Sequence, residues 1–178
     1  MAHVKVVRRS MRPEEWTDLR FVWLQRGIYE EKFEITDLEI RDARQISEDQ
    51  YEYYSDEYRP LKKDDMYFTP DGTAFIRGHV QIPAHMKGKN IYFTLHTAAE
   101  MIVKINGKYV GGVDPNRERI LLNPYIDSDD LTIEIEAYNR SKPDDERNPA
   151  SLAHRGCRQI FEGAYLSTIR DNVQSLVY

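Results

Sequence analysis

Asn106-Gly107 stands between two short runs that alternate apolar and polar residues, and no other feature of the chain constrains its fold as tightly. Both residues tolerate positive φ, which a type I′ turn demands at its two central positions, so the flanking runs must pair as an antiparallel hairpin. Before the turn, Met101, Val103 and Ile105 alternate with Ile102 and Lys104; after it, residues 108–110 should pair back. Three more runs share this period of two. Ile76, Val80 and Ile82 oppose Arg77, His79 and Gln81, and Pro83 ends the run because it has no ladder donor. Ile91, Phe93 and Leu95 oppose Tyr92, Thr94 and His96, while Leu131, Ile133, Ile135 and Ala137 oppose Thr132, Glu134, Glu136 and Tyr138. Each such strand has one apolar face, and sheets with one apolar face bury it against another sheet, so the chain reads as mostly β and as a sandwich.

Around this centre the signals change. Ser10 and Pro13 supply a cap and a first-turn proline for a helix through Arg26, with Gly27 as its left-handed stop. Trp16, Leu19 and Trp23, flanked by Phe21, Val22 and Leu24, give that helix a broad apolar surface that needs covering. Residues 32–41 alternate in two phases, Phe33 and Ile35 and then Leu38 and Ile40, which implies an extended segment with a bulge or bend at Thr36-Asp37. Residues 47–65 turn acidic and tyrosine-rich, with Tyr51, Tyr53, Tyr54 and Tyr58 among carboxylates, and read as a connection. Its tyrosines suit either sugar stacking or lying down on the sandwich. Residues 139–150 have the charge and proline of an exposed loop, and residues 158–169 can close the sandwich as a final strand. The expected organisation is therefore residues 1–45 as helix and extended segment packed on the sandwich, 46–70 as the acidic connection, 71–170 as the sandwich, and 171–178 as the start of a linker.

At 178 residues the chain can bury on the order of 70% of its unfolded surface, enough for a core without disulfide or metal staples. A net charge of −5 with no basic stripe speaks against nucleic acid as a partner. No apolar run is long enough to span a bilayer, and the first ten residues lack the apolar middle of a signal peptide, so no membrane partner and a cytoplasmic location are expected. The single cysteine, Cys157, cannot form an internal disulfide.

Two phrases carry a resemblance: Phe75-Ile76-Arg77-Gly78-His79-Val80-Gln81-Ile82-Pro83, and Val103-Lys104-Ile105-Asn106-Gly107-Lys108-Tyr109-Val110-Gly111. They resemble the galactose-binding-like, jelly-roll β-sandwich that precedes the catalytic domain in large glycosidases. The continuation Gly111-Gly112-Val113-Asp114-Pro115-Asn116 and the tail from Gly163 to Tyr178 make the chain similar to the N-terminal region of bacterial α-mannosidases of glycoside hydrolase family 38. The resemblance implies a non-catalytic domain that braces its own catalytic domain, which would lie beyond Tyr178, and that serves a homo-oligomer interface. It implies zinc in the parent's catalytic domain and no cofactor in this piece.

The residues agree with the absence of catalysis. The chain contains no His-x-His-x-Asp sequence, and His79, His85 and His96 lack any i, i+2 spacing. Carboxylates crowd turns, so two of them at the ~5–9.5 Å separation a glycosidase needs cannot be assigned. The binding candidates are loop residues. Gly111-Gly112 lets backbone approach a partner, and Asp114, Asn116 and Arg117, with Tyr109 or Tyr125 nearby, offer the donors, acceptors and ring a sugar takes. The same loop is ordinary turn chemistry, and both readings stand. Trp16, Trp23, Leu176, Val177 and Tyr178 are the candidates for an interdomain or oligomer interface, since apolar ends usually dock. A stand-alone carbohydrate-binding module is the alternative.

Overall fold

The computed structural model describes residues 27–65, 72–96, 99–114, 117–138, 161–170 and 172. The chain divides into two compact units, Met1–Glu31 with Ile169–Tyr178, and Lys32–Thr168. In the described part of the first, the Arg170 N–H donates to the Ile28 carbonyl at 2.8 Å. The helix expected through Arg26 lies outside the described residues, as do Trp16, Trp23, Leu176, Val177 and Tyr178. Gly27, read as a left-handed stop, does not take positive φ. The chain turns at Ile28 and enters a strand at Tyr29, so no left-handed residue is needed there.

The described residues are mostly β-sheet. In chain order the strands are β1 (Tyr29–Ile35), β2 (Leu38–Ser47), β3 (Gln50–Tyr53), β4 (Arg59–Pro60), β5 (Thr73–Gln81), β6 (Tyr92–Leu95), β7 (Glu100–Ile105), β8 (Lys108–Val113), β9 (Arg119–Leu121), β10 (Asp130–Tyr138) and β11 (Ala164–Ile169). Among the described residues they form a four-stranded sheet, β1-β11-β6-β9, and a seven-stranded sheet, β3-β2-β5-β10-β7-β8, in which β4 also pairs β2. The larger sheet is antiparallel throughout. The phase switch at Thr36-Asp37 is the point where the chain leaves the small sheet for the large one.

Register makes the alternation explicit. Across the large sheet Ile40, Ile76, Ile135 and Val103 stand in one row and are all buried. One residue along, Glu39, Arg77, Glu134 and Lys104 form the next row, on the opposite face, with charges alternating in sign. A one-residue slip would exchange these rows, which pins the pairing. The apolar face packs on Phe93, Leu95, Ala164 and Leu166 of the small sheet in one buried cluster, each large side chain worth roughly 1.5–3 kcal/mol on leaving water.

The Asn106-Gly107 turn has φ of 50° and 74°, as the sequence requires. Asn106 also ties the hairpin to its neighbour strand: its N–H donates to the Thr132 carbonyl at 2.9 Å, and its Oδ1 accepts the Thr132 N–H at 2.8 Å. β8 runs further than residue 110, through a bulge that leaves Gly111 at φ 150° facing Ile120.

One expectation changes. Residues 50–53, placed in a connection, form the edge strand β3, because Tyr51 and Tyr53 find ring partners on the sheet. The polar face of the β6–β11 pair is partly buried as well: Thr94 and Ser167 are both buried there and hydrogen-bonded to each other at 2.7 Å.

Candidate functional site

The loop singled out at residues 111–119 is smaller than its sequence suggests, because residues 111–113 belong to β8 and Arg119 opens β9. What remains is a tight turn in which Asp114 and Arg117 bond to each other. Their backbones exchange N–H to carbonyl bonds of 3.1 and 3.0 Å, and the Asp114 carboxylate takes the Arg117 N–H at 3.1 Å and Nε at 3.2 Å. Asn116 lies outside the described residues. Tyr109 is at the far end of β8, about 15 Å from Asp114 at ~3.3 Å per strand residue, and lies under the Lys104 ammonium at 4.6 Å. Tyr125 packs against the core. Of the described members of the sugar-binding set, Asp114 and Arg117 are brought together in a turn, with Tyr109 further along β8 and Tyr125 against the core.

The tyrosine-rich segment is likewise engaged. On the outer face of the large sheet the Tyr51 hydroxyl donates to Glu136 across two strands, and its ring meets Phe75 edge-on at 4.9 Å. That bond pushes the Tyr51 hydroxyl up to about 12, with burial and the Glu136 charge adding to it. Arg41 lies over Tyr53 at 3.6 Å, and Arg77 over Tyr58 at 4.0 Å while bonding Glu39. The tyrosines cover the sheet.

A polar cluster crosses the small sheet. Lys32 Nζ donates to His96 Nε2 at 3.2 Å, which leaves the imidazole proton on Nδ1, 3.1 Å from Glu118 Oε2. Burial holds the Lys32 ammonium below its ordinary range, a shift that Glu118 opposes and Lys63 reinforces. His79 pairs with Asp130, and among the described residues no group of three His, Cys, Asp or Glu side chains could hold a metal.

A further concave feature, not singled out from sequence, lies at the crossing between the sheets. A cleft of about 520 Å³ opens where the chain crosses between sheets, lined by residues 33–37, 79–84 and 87, within the ~300–1,000 Å³ usual for small-ligand clefts. Ile35, Val80 and Ile82 form its buried floor, and Phe33 keeps 39% of its surface exposed at the wall. Gly78 makes the crossing possible, since a Cβ there would collide with the Asp37 carbonyl and the Leu38 side chain. The His79 N–H then donates to that carbonyl at 3.2 Å. The two-phase pattern and Gly78 were the available signals; nothing local linked them.

No protein-family model matches the chain, and no curated protein matches it. Among solved structures it is similar to a calcium-binding mutant of Bacteroides uniformis beta-glucuronidase 2, with 18% identity and a TM-score of 0.48 over 77% of this chain and 18% of that one. It is also similar to the beta-D-glucuronidase of Dictyoglomus thermophilum, with 17% identity and a TM-score of 0.43 over 78% of this chain and 28% of that one. The chain thus spans less than a third of either protein's length. Likenesses this slight carry no argument about what it does.

Proposed function

We propose that this chain is an accessory β-sandwich domain of a larger glycoside hydrolase, an α-mannosidase of family 38, and that it braces the catalytic domain rather than reacting with substrate. The observation that carries the reading is where the resembling phrases fall. Residues 75–83 are β5 and its proline stop, residues 103–111 are the β7–β8 hairpin, and the two flank β10 at the centre of the large sheet. Phrases that build a sheet's centre are about fold, and a fold-level likeness supports a scaffold role better than a chemical one. On the outer face of that sheet Arg77 bonds Glu39 and Tyr51 bonds Glu136 within the domain, which suits a rigid support.

Reading the gene past Tyr178 tests this reading directly. An open frame that continues into a His-x-His-x-Asp sequence is the expected result, with zinc and turnover residing in the continuation. A stop codon after Tyr178 would contradict it. In the same account, the chain binds a separately produced catalytic portion in a pull-down, and changing Leu176 and Val177 to serine weakens that contact.

A further inference from the structure

We propose that the cleft at the sheet crossing is a binding site for a neutral hexopyranose. The cleft sets polar side chains over a buried apolar floor. Glu34, Thr36, Asp37 and Gln81 line it, and none of these side chains has a hydrogen-bond or ionic partner among the described residues. The two basic side chains at its rim are already engaged, Lys87 with Asp129 and His79 with Asp130. What remains open is a set of acceptors, an amide and a hydroxyl, above a buried aliphatic floor of Ile35, Val80 and Ile82 and beside the half-open ring of Phe33.

That combination selects a class of ligand. A pyranose offers one face of C–H groups, which an exposed ring and an aliphatic floor cover, and a rim of hydroxyls, which carboxylates and an amide accept and donate to. Charge decides which pyranose. Glu34 and Asp37 add two negative charges, and Lys87 and His79 at the rim each already face an aspartate, so a uronate or phosphorylated sugar meets repulsion where a neutral one does not. The geometry also fixes the site: Asp37 sits in the bend that Gly78 accommodates, so its backbone is held from below. This goes beyond the bracing role. It moves the sugar-binding alternative from the Asp114 turn to the opposite kind of surface, and it stands or falls whether or not a catalytic domain follows.

Isothermal titration of the whole 178-residue chain tests the proposal, with methyl α-D-mannopyranoside, methyl β-D-glucopyranoside and D-glucuronate as probes. At least one neutral glycoside should bind with Kd near 1 mM, the scale of about −4 kcal/mol, and glucuronate should bind at least tenfold more weakly. Phe33→Ala and Asp37→Asn should each weaken the neutral glycoside tenfold or more, and Gln81→Ala severalfold, while Asp114→Ala leaves it unchanged. Phe33 and Asp37 are exposed, so these variants should fold; circular dichroism checks it, and Phe33→Leu replaces Phe33→Ala where needed. No binding of either neutral glycoside at tens of millimolar overturns the proposal. So does glucuronate binding as tightly as the neutral sugars, binding that survives both Phe33→Ala and Asp37→Asn, or a calcium ion that binds and is lost with the same substitutions. A failure here leaves the bracing role intact, since the gene and the pull-down test that role independently.

Discussion

The Asp114–Arg117 turn and the cleft at Thr36-Asp37 have the same kinds of residue and opposite uses for them. In the turn, carboxylate, guanidinium and both backbones bond to one another at 3.0 to 3.2 Å, so these groups are spent first on closing the turn. In the cleft, Glu34, Asp37 and Gln81 line an apolar floor without such bonds among the described residues. The difference comes from chain geometry. A four-residue turn brings its own polar groups within reach of each other, whereas a crossing between sheets separates them and holds the separation by packing. Polar residues clustered in sequence are therefore poorer evidence of a site than polar residues a fold keeps apart.

The largest test of that contrast is Gly78→Val. Its side chain would enter the space held by the Asp37 carbonyl and Leu38. Overpacking of this kind costs about 3 kcal/mol, and a urea midpoint that barely moves would mean the crossing does not rest on Gly78. Gly107→Val should cost less, about 1–2 kcal/mol, because nothing lies within 4 Å of a Cβ there and only the positive φ opposes it. Gly107→Asn should recover most of that loss in the same denaturation, since asparagine tolerates this backbone.

Tyr51 sharpens the comparison from the engaged side, with a smaller effect. Its pKa is pushed up to about 12 by the bond to Glu136, above the ordinary tyrosine value near 10. The stabilisation from that bond is therefore full below about pH 10 and is lost as pH rises toward 12. Tyr51→Phe should show a shallower alkaline decline than the parent between those values; parallel curves would mean the bond does not hold in solution. The smallest effect is expected from Asp114→Ala. An exposed pair of this kind is worth at most about 1 kcal/mol, and a larger loss of thermal stability would mean the turn does more than close a loop.

Much of the fold was legible because its signals are local. Alternation placed β5, β7 and β10, Asn106-Gly107 fixed the hairpin, and the phase change at Thr36-Asp37 marked the crossing. The long-range part was not. Residues 50–53 look like linker because their acidic composition outweighs their tyrosines, and only Phe75, more than twenty positions away, shows why they pair as a strand. Alternation within one strand says nothing of the partner that buries Thr94, whose hydroxyl bonds Ser167 more than seventy positions away. The cleft escaped notice for the same reason: Phe33 and Gln81 share a wall only after two sheets have formed. The Asp114 loop drew notice because its residues are adjacent, and adjacency is what let them satisfy each other.

Titrating ¹⁵N-labelled chain with methyl α-D-mannopyranoside and following every backbone amide compares the two regions in one experiment. The account predicts shifts that saturate together at Thr36, Asp37, His79 and Gln81, with the amides of Asp114 and Arg117 unmoved. Saturable shifts centred on Asp114 and Arg117, with the crossing silent, would contradict it.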